Sequence, residues 1–336
     1  MGKEETIAQK IDPQNEIGTL KKNYRSIVQK YGIMIAFLVE CIIFAVWSEY
    51  FLTVNNIVNI MNQIVIYGII AVGMTFVIIT GGIDLSVGSL VALVGVITAS
   101  ILKIKPLPHS ILLPLAILIG LSVGGLTGLV SGFMITRFNI APFIITLAMM
   151  TACRGIAFLL SNGFAIGDLP GSFNFLGRGR LGIIPVPVIV MLTVFAFGHL
   201  LLTQTRFGRY VYSIGGNEEA TRLSGINTKK IKFLVYILAG FLTSLSGVVL
   251  SSRLGAGVPN SGLMYELYVI ASVVVGGTSL SGGIGSISGT FFGVMIIGVL
   301  YNGLNLVNVS SYWQMVILGI VIVGAVLLDQ FLKTEG

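Results

Sequence analysis

Charge is what this chain has least of. Asp, Glu, Lys and Arg make up 10% of its 336 residues, where an average soluble domain carries about 25%. With 55% hydrophobic residues and a mean hydropathy of +0.96, the sequence belongs in a membrane. Histidine is nearly missing. His109 and His199 stand apart from any carboxylate or nucleophile at useful spacing, which argues against triad chemistry, metal-assisted hydrolysis and a bound metal. The two cysteines, Cys41 and Cys153, lie inside apolar runs, so they read as buried free thiols rather than a disulfide framework. No G-x-x-x-x-G-K-[ST] phosphate loop is present, and Gly82 to Gly88 lacks both its lysine and its spacing. If ATP is used, another polypeptide binds it. The first apolar run is followed by Ser48-Glu49-Tyr50-Phe51 and not by a small-x-small cleavage site, so it is expected to stay as an uncleaved anchor.

Apolar sequence takes the place of charge. Ten runs follow one another, at roughly 31–48, 57–80, 85–102, 111–135, 140–160, 185–203, 233–252, 265–280, 284–303 and 312–329. All but the short 265–280 are long enough, or nearly so, for about 30 Å of hydrocarbon; that one suits a tilted or re-entrant piece. Backbone groups in lipid must be bonded internally, so the runs are helices, and strictly alternating barrel strands are not seen. The expected fold is all-α: a polytopic transmembrane bundle of about ten spans. Residues 1–30 form an N-terminal segment and 31–332 one transmembrane domain. Trp47, Tyr312 and Trp313 fall at span ends, as interfacial anchors do.

Orientation follows from the basic residues. With the N-terminus inside, cytoplasmic segments hold fourteen of the twenty Lys and Arg, the opposite face holds five, and Arg154 lies within a span. The positive-inside rule then places both termini and the 204–232 loop in the cytoplasm. This bias accounts for the pI near 9.4, so no nucleic-acid partner is needed.

That loop is unlike the rest of the chain. Thr203 to Lys232 holds six of the twenty basic residues and the adjacent Glu218 and Glu219. A few residues suffice to join two spans, so a loop of this length marks a docking surface for a soluble partner; a merely solvated surface helix is the plainer alternative. Asn217 is a good N-cap, the two glutamates suit a positive first turn, and Gly225 suits a C-terminal stop. A two-turn helix over about 218–224 is predicted, with Ala220 and Leu223 able to face the partner.

Three features lie within the apolar region. Gly81-Gly82-Ile83-Asp84-Leu85-Ser86-Val87-Gly88 and Gly276-Gly277-Thr278-Ser279-Leu280-Ser281-Gly282-Gly283 share both leading glycines, the Leu-Ser pair and the last glycine. Duplicated halves with broken helices are common in transporters, and chance similarity of small residues is the alternative. Asp84 can cap the helix after the glycine break, accepting from the N–H of Ser86 or Val87; with the hydroxyls of Ser86 and Ser89 it also offers groups to a polyhydroxyl solute. A carboxylate at membrane depth asks for a partner or a water-filled cavity. Asn62 and Gln63 serve either as interhelical glue or as pathway lining. Gly120, Gly124, Gly128 and Gly132 recur at intervals of four in the fourth run, and Gly285, Gly289 and Gly293 in the ninth. Such spacing lets backbones approach closely, with the neighbouring helix, in this or another subunit, left open. Glu40 and Arg154 are opposite charges in separate spans and could pair.

At this point a resemblance becomes specific. Glu219-Ala220 with Gly225 resembles the cytoplasmic E-A-A…G signature of bacterial ABC-importer permeases. The run from Gly73 to Ser89, G-M-T-F-V-I-I-T-G-G-I-D-L-S-V-G-S, resembles the ribose-type monosaccharide permeases. So do Thr205-Arg206-Phe207-Gly208-Arg209, Gly215-Gly216-Asn217-Glu218 and Val275 to Gly283, in the family's order from about Val54 to Leu328. Tyr268 departs from the pattern, where a small or acidic residue is expected. The resemblance implies an ABC-importer permease fold in the bacterial cytoplasmic (inner) membrane, importing a monosaccharide by alternating access and catalysing nothing covalent. It implies a cytoplasmic ATPase that carries ATP and Mg, an external sugar-binding protein and a second permease subunit, a homodimer in the simplest case. Asn217, Glu218, Glu219, Ala220, Thr221 and Gly225 would couple to the ATPase. A branched-chain amino-acid permease shares the design but should not match G-G-I-D-L-S-V-G-S so closely. A secondary sugar transporter needs deep coupling-ion carboxylates, for which only Glu40 and Asp84 are available. Which sugar is carried is not readable.

Overall fold

The computed structural model describes residues 32–104 and 108–334, so the expected 1–30 segment lies outside the described residues. Thirteen helices and one short hairpin make up what is described. In chain order they are α1 (Gly32–Trp47), α2 (Val54–Ile79), α3 (Val87–Leu102), α4 (His109–Phe138), α5 (Pro142–Ser161) and α6 (Gly171–Arg178). Strands β1 (Arg180–Leu181) and β2 (Ile184–Pro185) pair antiparallel. Then come α7 (Val186–Gln204), α8 (Arg206–Gly216), α9 (Glu218–Leu223), α10 (Thr228–Leu254), α11 (Tyr265–Val275), α12 (Ile287–Leu306) and α13 (Ser311–Thr334).

Six of these, α2, α4, α5, α7, α10 and α12, are long and apolar enough to cross a membrane; α1, α3, α11 and α13 carry shorter apolar stretches. Each matches one expected run. The differences are at breaks. The run 265–280 stops as a helix at Val275 and the next helix starts only at Ile287, because the glycines from Gly276 to Gly285 release the backbone. Gly285 therefore sits in a connection and not on the ninth helix, whereas Gly289 and Gly293 do lie on α12, facing backbone atoms of Gly276 and Ser272 of α11.

Helix α2 is the centre. Its most apolar stretch is 83% buried, against 17% for α5, as expected of a helix that is hydrophobic all round and enclosed by others. It is flanked by α7, α10, α11 and α12, while α3 packs on α4, α5 and α10. The glycine stripe of α4 packs on α10 of the same chain. A side chain at Gly124 would strike the Gly240 carbonyl and Ser244, one at Gly128 the backbone of Tyr236 and Ile237, and one at Gly132 would lie 3.0 Å from the Phe233 carbonyl. Gly120 faces Thr98 and Val248, so it also meets α3. Gly240 returns the contact, since a side chain there would strike Gly124.

Candidate functional site

Both glycine motifs end helices in the same way. At the end of α2, capped by Thr80, the Gly81 N–H donates to the Ile78 carbonyl and the Gly82 N–H to that of Val77, with Gly81 at φ +78°. At the end of α11, capped by Gly276, the Gly277 N–H donates to Val274 and the Thr278 N–H to Val273, with Gly277 at φ +82°. This is the Schellman arrangement, whose left-handed residue glycine adopts without side-chain strain. The structural correspondence is Thr80-Gly81-Gly82 with Gly276-Gly277-Thr278, one residue out of step with the apparent sequence repeat.

After the first stop the chain turns through Ile83 and Asp84 into α3. Asp84 is 5% exposed, and its Oδ1 accepts from the Ser86 N–H at 2.9 Å and the Ser86 hydroxyl at 2.6 Å. The carboxylate thus holds the entrance to α3. Thr146 of α5 donates to the Ile83 carbonyl at 3.1 Å. Tyr236 of α10 packs its hydroxyl into the space that a side chain at Gly82 would take. Ser86 and Ser89 are both buried at the start of α3.

Asn62 and Gln63 are elsewhere. They line a recess of about 350 Å³ towards the other end of α2, together with Asn59, Arg178, Arg180 and Arg253. Short elements build its far wall. Arg178, ending α6, donates from Nε to the Arg253 carbonyl at 2.6 Å and from Nη2 to the Leu254 carbonyl at 2.8 Å, satisfying the open C-terminus of α10. Arg253 donates to the Asn62 carbonyl at 2.6 Å. Ser252 locks α6 in place, donating to the Phe173 carbonyl at 2.6 Å and accepting from the Gly177 N–H at 2.7 Å. Three guanidinium groups and three amides face this recess, a lining rich in donors for hydroxyl or anionic oxygens. The sequence counted these arginines only towards topology; no spacing signal joins residues 178, 180 and 253. Arg154 does not reach Glu40: it donates to the Pro259 and Ser261 carbonyls at 2.6 and 2.8 Å.

The polar loop is two helices rather than one. Thr205 caps α8, accepting from the Gly208 N–H at 3.2 Å, and α8 buries Val211 and Ile214 while exposing Arg206, Arg209 and Ser213. Asn217 caps α9, accepting from the Ala220 N–H at 2.9 Å. Gly225, at φ +83°, follows the Ser224 cap. Glu218, Glu219, Ala220 and Leu223 are exposed, Leu223 by 76%. Thr221 faces inward at 6% exposure, its hydroxyl donating to the Asn217 carbonyl. The hydrogen bond from Arg222 and its charge hold the Glu219 carboxyl below the usual carboxylate range, and Lys232 pairs with Glu218.

Known proteins resemble this chain over most of its length. The family described as branched-chain amino acid transport system / permease component matches residues 56–326. The ribose import permease protein RbsC of Haemophilus influenzae is 46% identical over 305 residues, 90% of this chain and 93% of the relative. That of Bacillus subtilis is 46% identical over 310 residues, 92% and 95% of the two chains. The D-allose transport system permease protein AlsC of Escherichia coli is 39% identical over 314 residues, 93% and 94%. No solved structure matches.

Proposed function

The chain belongs to the family of branched-chain amino acid transport system permease components, and from that premise we propose that it is the membrane subunit of an ATP-dependent importer of a monosaccharide. The observation that carries the reading is 46% identity over nine-tenths of the chain to ribose import permeases. Although the family is described by amino acids, relatives named for ribose, arabinose and allose put sugars ahead of amino acids as cargo. The subunit forms no covalent bond with its cargo. It resides in a bacterial inner membrane as a multi-pass protein.

Six long and four shorter apolar helices support ten membrane-crossing segments with both termini in the cytoplasm. Positive charge on α8 and at the start of α10 (Arg206, Arg209, Lys229, Lys230 and Lys232) sets their end of the bundle inside, and the arginine recess then faces outward. Sugar released by an external binding protein meets Asn62, Gln63 and the guanidinium groups first. The Ile79 end of α2 lies about 26 Å further along that helix, and Asp84, Ser86 and Ser89 follow it, where the chain folds back into α3. A cytoplasmic ATPase holds ATP and Mg and docks on the exposed face of α9; its closure moves α9 and switches access between the two ends. Two copies of the chain share one ATPase pair.

Reconstitution tests this directly. Vesicles containing the chain, its ATPase and the loaded binding protein should accumulate labelled ribose only with ATP. Uptake by the chain alone, driven by an ion gradient, would establish a secondary transporter instead. A cysteine at Leu223 should crosslink to the ATPase; one at the inward-facing Thr221 should not.

A further inference from the structure

The two helix breaks touch, and α8 is wedged against their contact. The Gly283 N–H in the second break donates to the Ile79 carbonyl at the end of α2, at 2.9 Å. Gly215, near the end of α8, abuts both groups: a side chain there would overlap the Ile79 oxygen and the Gly283 nitrogen. Gly282 and Gly283, at φ +85° and +75°, would place a Cβ 3.0 to 3.2 Å from backbone atoms of Ile79, Gly215 and Gly216. Backbone therefore meets backbone from three elements, with no side chain between them to absorb a displacement.

Two side chains fasten α8 to this junction. The Tyr212 hydroxyl donates to the Gly285 carbonyl at 2.7 Å, reaching the far side of the second break. Phe207 lies against Phe76 of α2, ring centroids 6.0 Å apart. A single residue, Asn217, separates α8 from α9. A push on α9 thus reaches the junction through one short helix.

We propose that Tyr212 and Gly215 are positioning residues for transport: through them α8 holds the two helix breaks together, and movement imposed on α9 opens or closes the Ile79–Gly283 junction. The inference rests on the importer reading above. A neutral hydrogen bond shifts an equilibrium by only about fivefold, so a junction held this way is within reach of a moving partner.

The test uses the complete transporter with Cys41→Ala and Cys153→Ala, and Ile284→Cys as a probe in the second break, at a position 58% exposed. In this background ATP should change the rate of thiol labelling. Tyr212→Phe removes the hydroxyl bonded to Gly285 and adds no volume. It should cut both the ATP-dependent change in labelling and the sugar carried per ATP by about fivefold, while stimulated ATP hydrolysis stays within about twofold of the parent. Gly215→Ala should have the larger effect; if it does not fold, Tyr212→Phe still decides. Should Tyr212→Phe keep the parental sugar-per-ATP ratio and labelling response, or lose only yield and melting temperature, the positioning role is overturned and the importer reading stands. If the parent itself carries no sugar with ATP, both fall together.

Discussion

Five residues separate the Thr80 cap of α2 from the Ser86 cap of α3, and nine separate the Gly276 end of α11 from the Ser286 cap of α12. The helices stop by the same pair of backward amide bonds around a left-handed glycine, so the difference lies wholly in how each chain goes on. The first connection is held from within: Asp84 accepts twice from Ser86, and Tyr236 and Thr146 close over it. The second has no carboxylate: the Ser279 N–H donates to the Ile284 carbonyl and Ser279 accepts from the N–H groups of Ser281 and Gly282, while Tyr212 and the glycines of α8 hold it from outside. A stop motif can be repeated while its surroundings make one copy a fixed corner and the other a joint that answers to a neighbouring helix.

The strongest way to break this contrast is Gly128→Leu. Its side chain would enter the backbone of Tyr236 and Ile237, and overpacking of that kind costs about 3 kcal/mol. Because Tyr236 covers Gly82, amide exchange should rise at 80–86 well before it rises at 276–286. Equal acceleration at both would show that the first break is no more dependent on α10 than the second.

A pair of smaller changes tests the shared part. Gly81→Ala and Gly277→Ala each force a side chain into the left-handed region, at about 1 to 2 kcal/mol. Gly81 has open space around it, and Gly277 meets only Ile33 at 3.2 Å. Melting temperatures in detergent should therefore fall by similar amounts. A large disparity would mean the two stops are not equivalent.

The gentlest change sharpens the difference. Asp84→Ala removes the acceptor and should cost about 1 kcal/mol as a lost cap, whereas Asp84→Asn keeps one acceptor oxygen and should stay close to the parent in stability and uptake. Severe loss of uptake in both, with normal melting, would make the charge itself necessary to the pathway.

Much of this was legible in residue order. The apolar runs appear as helices, because a chain in lipid has no other way to satisfy its amides within one segment. Asn217, Glu218 and Gly225 foretold α9 and its end, since caps are local: the side chain, the amide it binds and the turn it closes lie within a few residues. Asp84 was placed on Ser86 for the same reason. The amphipathic α8 was not foreseen, though Phe207, Val211 and Ile214 are spaced for a helix; Gly208, Gly215 and Gly216 masked it as loop.

What the sequence determined by itself is therefore the local physics: membrane residence, the number and order of the apolar helices, capped ends, glycines where backbone would turn or approach. Tertiary structure alone decided who approaches whom. The stripe of α4 found α10 of the same chain, Asn62 and Gln63 were drawn to an arginine recess, Asp84 settled in the fold-back between α2 and α3, and Gly215 met Ile79 and Gly283. The reason is that an enclosed membrane helix is apolar on every side. Its composition records that it is covered, and a glycine records that something comes near, but neither carries the identity of the neighbour, which is set by the shapes of all the helices packed together.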